Sequence, residues 1–394
     1  MKTPKENSHS EIRNPRLEIQ DFKLESIVFA IFLIGSFSVR IAVGEATSKT
    51  LIPIHLIHAD NLINRMQNGQ TVQELTGAVH IRQDVLQVTC DKATHYQEEG
   101  RLIFEGDVAY WDTLRTLKAE QVVFYQRTRR LTATGNVIIT QDTLEIRCQK
   151  ALYLDNQEEA YFEGGVTLTD QASGSTVEGE RGAYSEPMGF SKVTGHPVFT
   201  ERDTTDSIRM QIFGQDIEYH TADHLAVARD SVVVIRGDLE ATGDLLEYNR
   251  EEGWAVLSGS PKVHKNREEI QGDTISMYFA GGDLNRVEVE GSAHATMPSD
   301  TLYSDSLRQD RMNWMRGQNM DLTVDNGQLT QAVVKGQARA LYYPIEEGER
   351  QGANQVSGDS IKIWIEQGEV ARIKVIGGTQ GMYYPEKMAS RAGE

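Results

Sequence analysis

Apolar and polar residues alternate strictly through segment 131–139 (LTATGNVII), with Leu131, Ala133, Gly135, Val137 and Ile139 on one parity. Nine residues of period two with one apolar face predict a half-buried strand rather than a helix. The pattern returns upstream in 102–108 (LIFEGDV) and downstream in 160–166 (AYFEGGV). Its glycines, Gly77, Gly106, Gly135 and Gly164, stand 29 residues apart. Self-similarity at a fixed period marks a repeat architecture, which decides the fold before any other feature does.

Each unit predicts two arms. The first carries the glycine. The second carries a small residue followed by a polar one and later an aromatic, as in Cys90-Asp91 with Tyr96, Ala119-Glu120 with Tyr125, Gly243-Asp244 with Tyr248, Gly272-Asp273 with Tyr278 and Gly358-Asp359 with Trp364. Inward parity switches within the second arm, from Leu144, Ile146 and Cys148 to Ala151 and Tyr153, so a bend or bulge is expected there. Glycine inside a strand marks a related corner. Polar turns at both ends of every arm, such as 97–100 (QEEG) and 155–158 (DNQE), predict antiparallel hairpins. Later anchors are Gly195, Gly259, Gly291, Gly336 and Gly377, with Asp230 in the glycine place of the sixth unit, giving ten units and roughly twenty strands. Extra length near 202–207, 297–311 and 343–351 always falls between the arms of one unit, which should put the enlarged loops on one side. Segment 51–63 should supply a first strand and an end cap; no helix is expected after the leader.

The leader contains an apolar run of 13, Ile27 to Val39, which is short for a spanning helix of about 20 residues. It reads as a signal peptide cleaved after Gly44 or Ala46, or as a retained anchor, because acids balance the bases that precede it. A net charge of -18 argues against a nucleic-acid partner. Cys90 and Cys148 both lie 13 residues after their unit's glycine. They are two layers apart, about 9.5 Å if a unit adds one strand and double that if it adds two. Either gap exceeds the roughly 7 Å limit for a disulfide.

Catalytic constellations are missing. The chain has no P-loop, dinucleotide fingerprint, nucleophile elbow or HExxH. His55 with His58, or His220 with Asp223 and His224, fall short of a full ligand set, so no metal and no cofactor is expected. Acid pairs such as Glu158-Glu159 and Glu251-Glu252 sit in turns, where solvated residues are the rule. On the inner face, Gly77, Val79, Ala133, Gly135, Val137, Gly164, Val166, Ala293 and Ala338 are small for a two-walled core about 10 Å thick. A dry packed core and an apolar trough that accepts acyl chains both fit that composition.

Segment 131–139, the following 144–153 (LEIRCQKALY) and the next unit resemble the organic-solvent-tolerance (OstA-like) family, most clearly over residues 75–184 and more weakly to 384. That family includes the periplasmic bridge and the membrane partners of lipopolysaccharide transport. The resemblance implies an all-β fold: an elongated, mainly antiparallel β-jellyroll shaped like a taco, of about ten two-arm repeats. The length suggests two fused jellyrolls, 45–200 and 201–394 with longer loops, after a leader at 1–44. It implies a non-enzymatic carrier or bridge whose groove, lined by Leu75, Val79, Leu102, Phe104, Val108, Leu131, Ala133, Val137, Ile139, Phe162, Val166 and Leu168, holds lipopolysaccharide or a related lipid in the periplasm. Implied partners are other OstA-like transport proteins at the inner and outer membrane, joined through edge strands, and further copies of the chain head to tail. The competing reading is an extracytoplasmic parallel β-helix that binds or degrades polysaccharide. Direct pairing of Ile139 with Leu144, or of Tyr96 with Arg101, would speak against it.

Overall fold

The structure, a computed structural model, describes residues 55–392 apart from positions 84, 114, 142, 155, 172–173, 186, 189, 203–204, 221–224, 250–251, 281–282, 300–310, 347–348 and 367–368. The expected signal peptide or anchor at 1–44 lies outside the described residues. Alternation produces what it predicts. Nearly every described segment is a strand, and each arm hydrogen-bonds antiparallel to the next in one 26-stranded sheet. Six of twenty successive arms are interrupted at their midpoint, so the count of strands exceeds the count of arms. Stacked at the usual strand spacing, they extend over about 90 Å.

Every long arm bends at its middle. In the strand Arg130–Gln141 the pairing with Leu144–Leu154 runs Ala133↔Ala151 and Thr134↔Lys150, then resumes at Val137↔Cys148. Gly135 and Asn136 therefore face the single residue Gln149, a two-against-one bulge that turns the strand. Both bulge residues are left-handed, with φ +80° at Gly135 and +47° at Asn136. The same pair of positive φ values recurs at all ten predicted anchors, including Asp230 (+61°) with Ser231 (+56°). Aspartate fits that place because its short polar side chain tolerates the left-handed region.

The polar residue after each small one explains the glycine. A Cβ on Gly135 would lie 2.5 Å from the Glu120 carboxylate, one on Gly106 2.1 Å from Asp91 and one on Gly291 2.1 Å from Asp273. Each of the nine glycine corners is thus covered by a side chain from the preceding arm. At Gly135 this side chain also accepts a hydrogen bond from Asn136 Nδ2 at 2.7 Å.

The bends divide the sheet into two walls joined along the line of corners. Segments that precede a glycine or follow a small residue form the first wall, and its rim carries the turns between units. The remaining segments form the second wall, and its rim carries the turns within units. The glycine arms that precede the lengthened segments end at Arg202, Pro298 and Tyr342, all on the second-wall rim. Tyr96 pairs with Arg101, as a hairpin requires. Ile139 pairs with Ile146 rather than Leu144, which faces Gln141, but the pairing is antiparallel all the same. Every pairing among the described residues is antiparallel, which excludes parallel β-helix coils. A short exception to the all-strand expectation is the 3-10 helix Glu386–Arg391 after Pro385. Ala389 packs there with Leu341 and Ala353, and Glu386 pairs with Arg311 at 2.8 Å.

Both ends of the sheet are edges. His55–His58 and Asn61–Gln67 pair only with Gln70–Gln83, and Glu369–Ile376 and Gln380–Tyr384 pair only with Ala353–Glu366, among the described residues. The first of these edges supplies the described part of the expected end cap.

Gly135→Ala should destabilise the protein by about 2–4 kcal/mol, the left-handed penalty of about 1–2 kcal/mol plus the contact with Glu120. Gly237→Ala, where φ is +60° and nothing lies within 4 Å of the added Cβ, should cost only the first part. Urea midpoints compare the two, and adding Glu120→Ala should recover part of the Gly135→Ala loss. Equal costs for the two glycines would overturn this account of the corner.

Candidate functional site

The residues expected to line a groove all share the inner face of the bent sheet. Val79, Val108, Leu131, Ala133, Val137, Ile139, Phe162, Val166 and Leu168 are buried and belong to one cluster, against which Leu75 and Phe104 pack half-buried. Leu102 is half-buried on the same parity, between His95 and Phe124. The partner arms add Val88, Leu117, Val122, Ile146 and Val177 to the lining. Exposure falls from the first two units toward the third and fourth, where the two walls supply one continuous apolar cluster. Two further clusters, around Leu257 and around Val334, continue the interior toward the C-terminal end. A shallow depression of about 400 Å³ lined by Tyr125, Arg130 and Asn156 lies on the outside of the first-wall rim, away from this interior.

The interior disfavours charge. Burial pushes the Cys90 and Cys148 thiols up to about 11. It also raises the Tyr110 phenol, with Asp112 adding to the effect, and holds His95 below the usual histidine range against the opposing pull of Glu98. All four sit at inward positions and all shift toward the neutral form, as groups withdrawn from water do. The two cysteines are free and buried. Each unit adds two strands, so they stand four strands apart, about 19 Å, the larger of the two expected gaps.

The second-arm aromatics, treated alike in the sequence, divide into two sets. Tyr153, Tyr184, Tyr219 and Tyr248 lie five residues after the small residue of their arm and point inward. Tyr96, Tyr125, Tyr278 and Trp364 lie six residues after it and point outward. Three of the outer four are covered by cations: Arg101 sits 4.2 Å from the Tyr96 ring centre, Arg286 5.7 Å from Tyr278, and Lys362 and Arg372 each 4.9 Å from Trp364. The signal that separates the sets is the offset, since one residue reverses the face in a strand.

Among the described residues no group of three or more His, Cys, Asp or Glu is placed to hold an ion. His58 instead lies 3.3 Å from Asp60 at an exposed corner. Asp223 and His224 lie outside the described residues. No helix among the described residues is long and apolar enough to cross a membrane.

Bent antiparallel arms, stacked in phase around an apolar interior, define a β-jellyroll of repeated corners. The family described as LptA/(LptD N-terminal domain) LPS transport protein matches residues 87–181 and, in an overlapping match, 116–283, together half of the chain. The chain belongs to this family of lipopolysaccharide-transport proteins. Among solved structures it is similar to LptH, the LptA homologous periplasmic component of the conserved lipopolysaccharide transport device from Pseudomonas aeruginosa. The two are 16% identical with a TM-score of 0.29, over 37% of this chain and 95% of that one. Comparison with curated proteins returns no match.

With both thiols raised to about 11, only about one part in a thousand is thiolate at pH 8. Ellman's reagent should therefore leave both cysteines unmodified in the native protein at pH 8 and titrate two thiols in guanidinium. Rapid native labelling would show that the inner face is wet.

Proposed function

We propose that the chain is a non-enzymatic carrier or bridge that holds the acyl chains of lipopolysaccharide between its two walls and works in the periplasm. One observation carries this reading. The positions two and four residues either side of the corner glycine hold no charged residue in any of the ten units, so the glycine arms present an uncharged strip along the line of corners. Membership in a lipopolysaccharide-transport family supports the choice of cargo. Burying an acyl chain in such a track is worth about 0.8 kcal/mol per CH₂, enough to hold an amphiphile whose anionic head makes no favourable charge contact. Residues lining the site are those expected above, from Leu75 to Leu168. The leader at 1–44 would direct export, as a cleaved signal or an inner-membrane anchor.

The two edges suit assembly with other transport proteins or with further copies of the chain. Leu56, Ile57, Leu62, Ile63 and Met66 are exposed at one edge, and Met382 and Tyr383 at the other. Unpaired strands with apolar faces are templates for strand addition. A division into two jellyrolls near residue 200 would fall where the first buried cluster gives way to the next, with Phe199 packed against both and the sheet continuous across it.

Photo-crosslinkers at Phe104, Val137 and Val166 should capture lipopolysaccharide, and the same group at Thr132 or Asn136 on the other face should not. Equal capture from both faces would sink the carrier reading. Leu62→Lys with Ile63→Lys should abolish any concentration-dependent association seen by sedimentation while leaving crosslinking to lipid in place.

A further inference from the structure

Tyr153, Tyr184, Tyr219 and Tyr248 form a row that the lining described so far does not explain. Register places them in line across the first wall. Tyr153 pairs with Leu131 and Ala160, Tyr184 with Ala160 and Ser191, Tyr219 with Ser191 and Ala226, and Tyr248 with Ala226 and Ala255. A phenol thus alternates with small residues through four consecutive units, so successive rings are about 9–10 Å apart with room between them. Each is the penultimate residue of its strand, at the rim, and the first three are at most 5% exposed. The row is bounded. At the equivalent place earlier units have His95 and Phe124, and later ones have Met277, Leu322 and Ile363.

The opposite rim is polar over part of the same stretch. Gln141, Asp170 and Ser175 are buried on inward parity at the ends of their arms, a place that is polar in other units too, as at Gln83, Asp112, Arg236 and Lys265. From the corner to the tyrosine is five residues, a wall depth of about 16 Å, which suits a medium-length acyl chain. A side chain at that depth meets a bound amphiphile where its hydrocarbon joins its polar head. Tyrosine matches that boundary, with an apolar ring below and a hydroxyl above.

We propose that the tyrosine row is a head-group selector: its hydroxyls hydrogen-bond the ester, amide and sugar oxygens at the base of an acylated glycolipid whose chains lie in the trough. This rests on the carrier reading, and adds that the third to sixth units distinguish such a lipid from plain hydrocarbon.

The test uses the full chain with two probes, lipid A and the hydrocarbon dye N-phenyl-1-naphthylamine. The variant Tyr153→Phe, Tyr184→Phe, Tyr219→Phe keeps the rings and removes three hydroxyls. A hydrogen bond of ordinary net strength is worth a factor of about two to ten, so lipid A affinity should fall at least tenfold. Dye affinity should stay within twofold. Phe124→Tyr extends the row by one hydroxyl and should raise lipid A affinity about two- to tenfold without changing the dye. The proposal is overturned if the triple variant binds both probes as the parent does, if both affinities fall together, or if Phe124→Tyr has no effect on lipid A. Failure of the parent to bind either probe would instead remove the carrier reading itself.

Discussion

The structure depends on one local constraint: two consecutive left-handed residues in the middle of a long strand, covered by a side chain from the arm before. A straight arm of this length would keep each face continuous from turn to turn and build a flat sheet with two wet faces. The bulge turns the strand, and a bulge in every glycine arm turns the whole sheet along one line. Glycine is needed for two reasons that act together. Its φ near +80° is one that L residues adopt at a cost, and the space where a Cβ would stand is taken by Asp91, Glu120, Asp244 or their equivalents. The acid after the small residue and the glycine of the next arm are therefore two halves of one feature.

From that corner the interior follows by counting. Two residues on the glycine arm face one on its neighbour, so inward parity carries through the bend on the glycine arm and switches on the neighbour. Leu131 and Ala133 lead to Val137 and Ile139, and Ile146 and Cys148 lead to Ala151 and Tyr153, with all of them buried. The same count gives the tyrosines their direction. An aromatic five residues past the small one belongs to the interior, and one six residues past it belongs to the outer surface, where Arg101, Arg286, Lys362 and Arg372 cover the rings. A single-residue difference in spacing changes which solvent the ring meets.

Much of this is legible in the chain because each unit carries its own punctuation. The 29-residue interval of the early glycines and the parity switch at Cys148 identify the corners, and Asp230 can be placed by phase alone. The direction of the aromatics is harder to read, since the pattern "small, polar, later an aromatic" is satisfied by either offset. The role of the polar residue is also obscure in sequence. Asp91 and Glu120 read only as the polar half of a small-polar pair until the neighbouring arm brings a glycine beneath them. The helix Glu386–Arg391 escapes notice for a different reason: six residues give no helical period, and its one buried contact, Ala389 against Leu341 and Ala353, is long-range.

The strong negative charge of the chain and the anionic head of the proposed cargo look incompatible, and the corners account for part of that charge. Seven of the acids lie along the line of corners, over glycines, and others are paired on outer faces, as Glu218 is with Lys192 at 2.8 Å and with Arg229. Burial alone would raise the Glu218 carboxyl, but the two cations outweigh it and hold it below the usual range, so its charge is compensated locally. The positions that face the trough beside each glycine are uncharged in all ten units. Charge that is needed to build the bends is thereby kept at the spine and on the outside, with the full depth of a wall between the spine and the rim where an anionic head would sit. At physiological salt a separation of about 16 Å is roughly two Debye lengths, so solvent-exposed acids at the spine would exert little force on that head. The acids of the corners thus belong to the architecture, while those of the between-unit turns, such as Glu98, Glu99 and Glu158, stand at the first-wall rim.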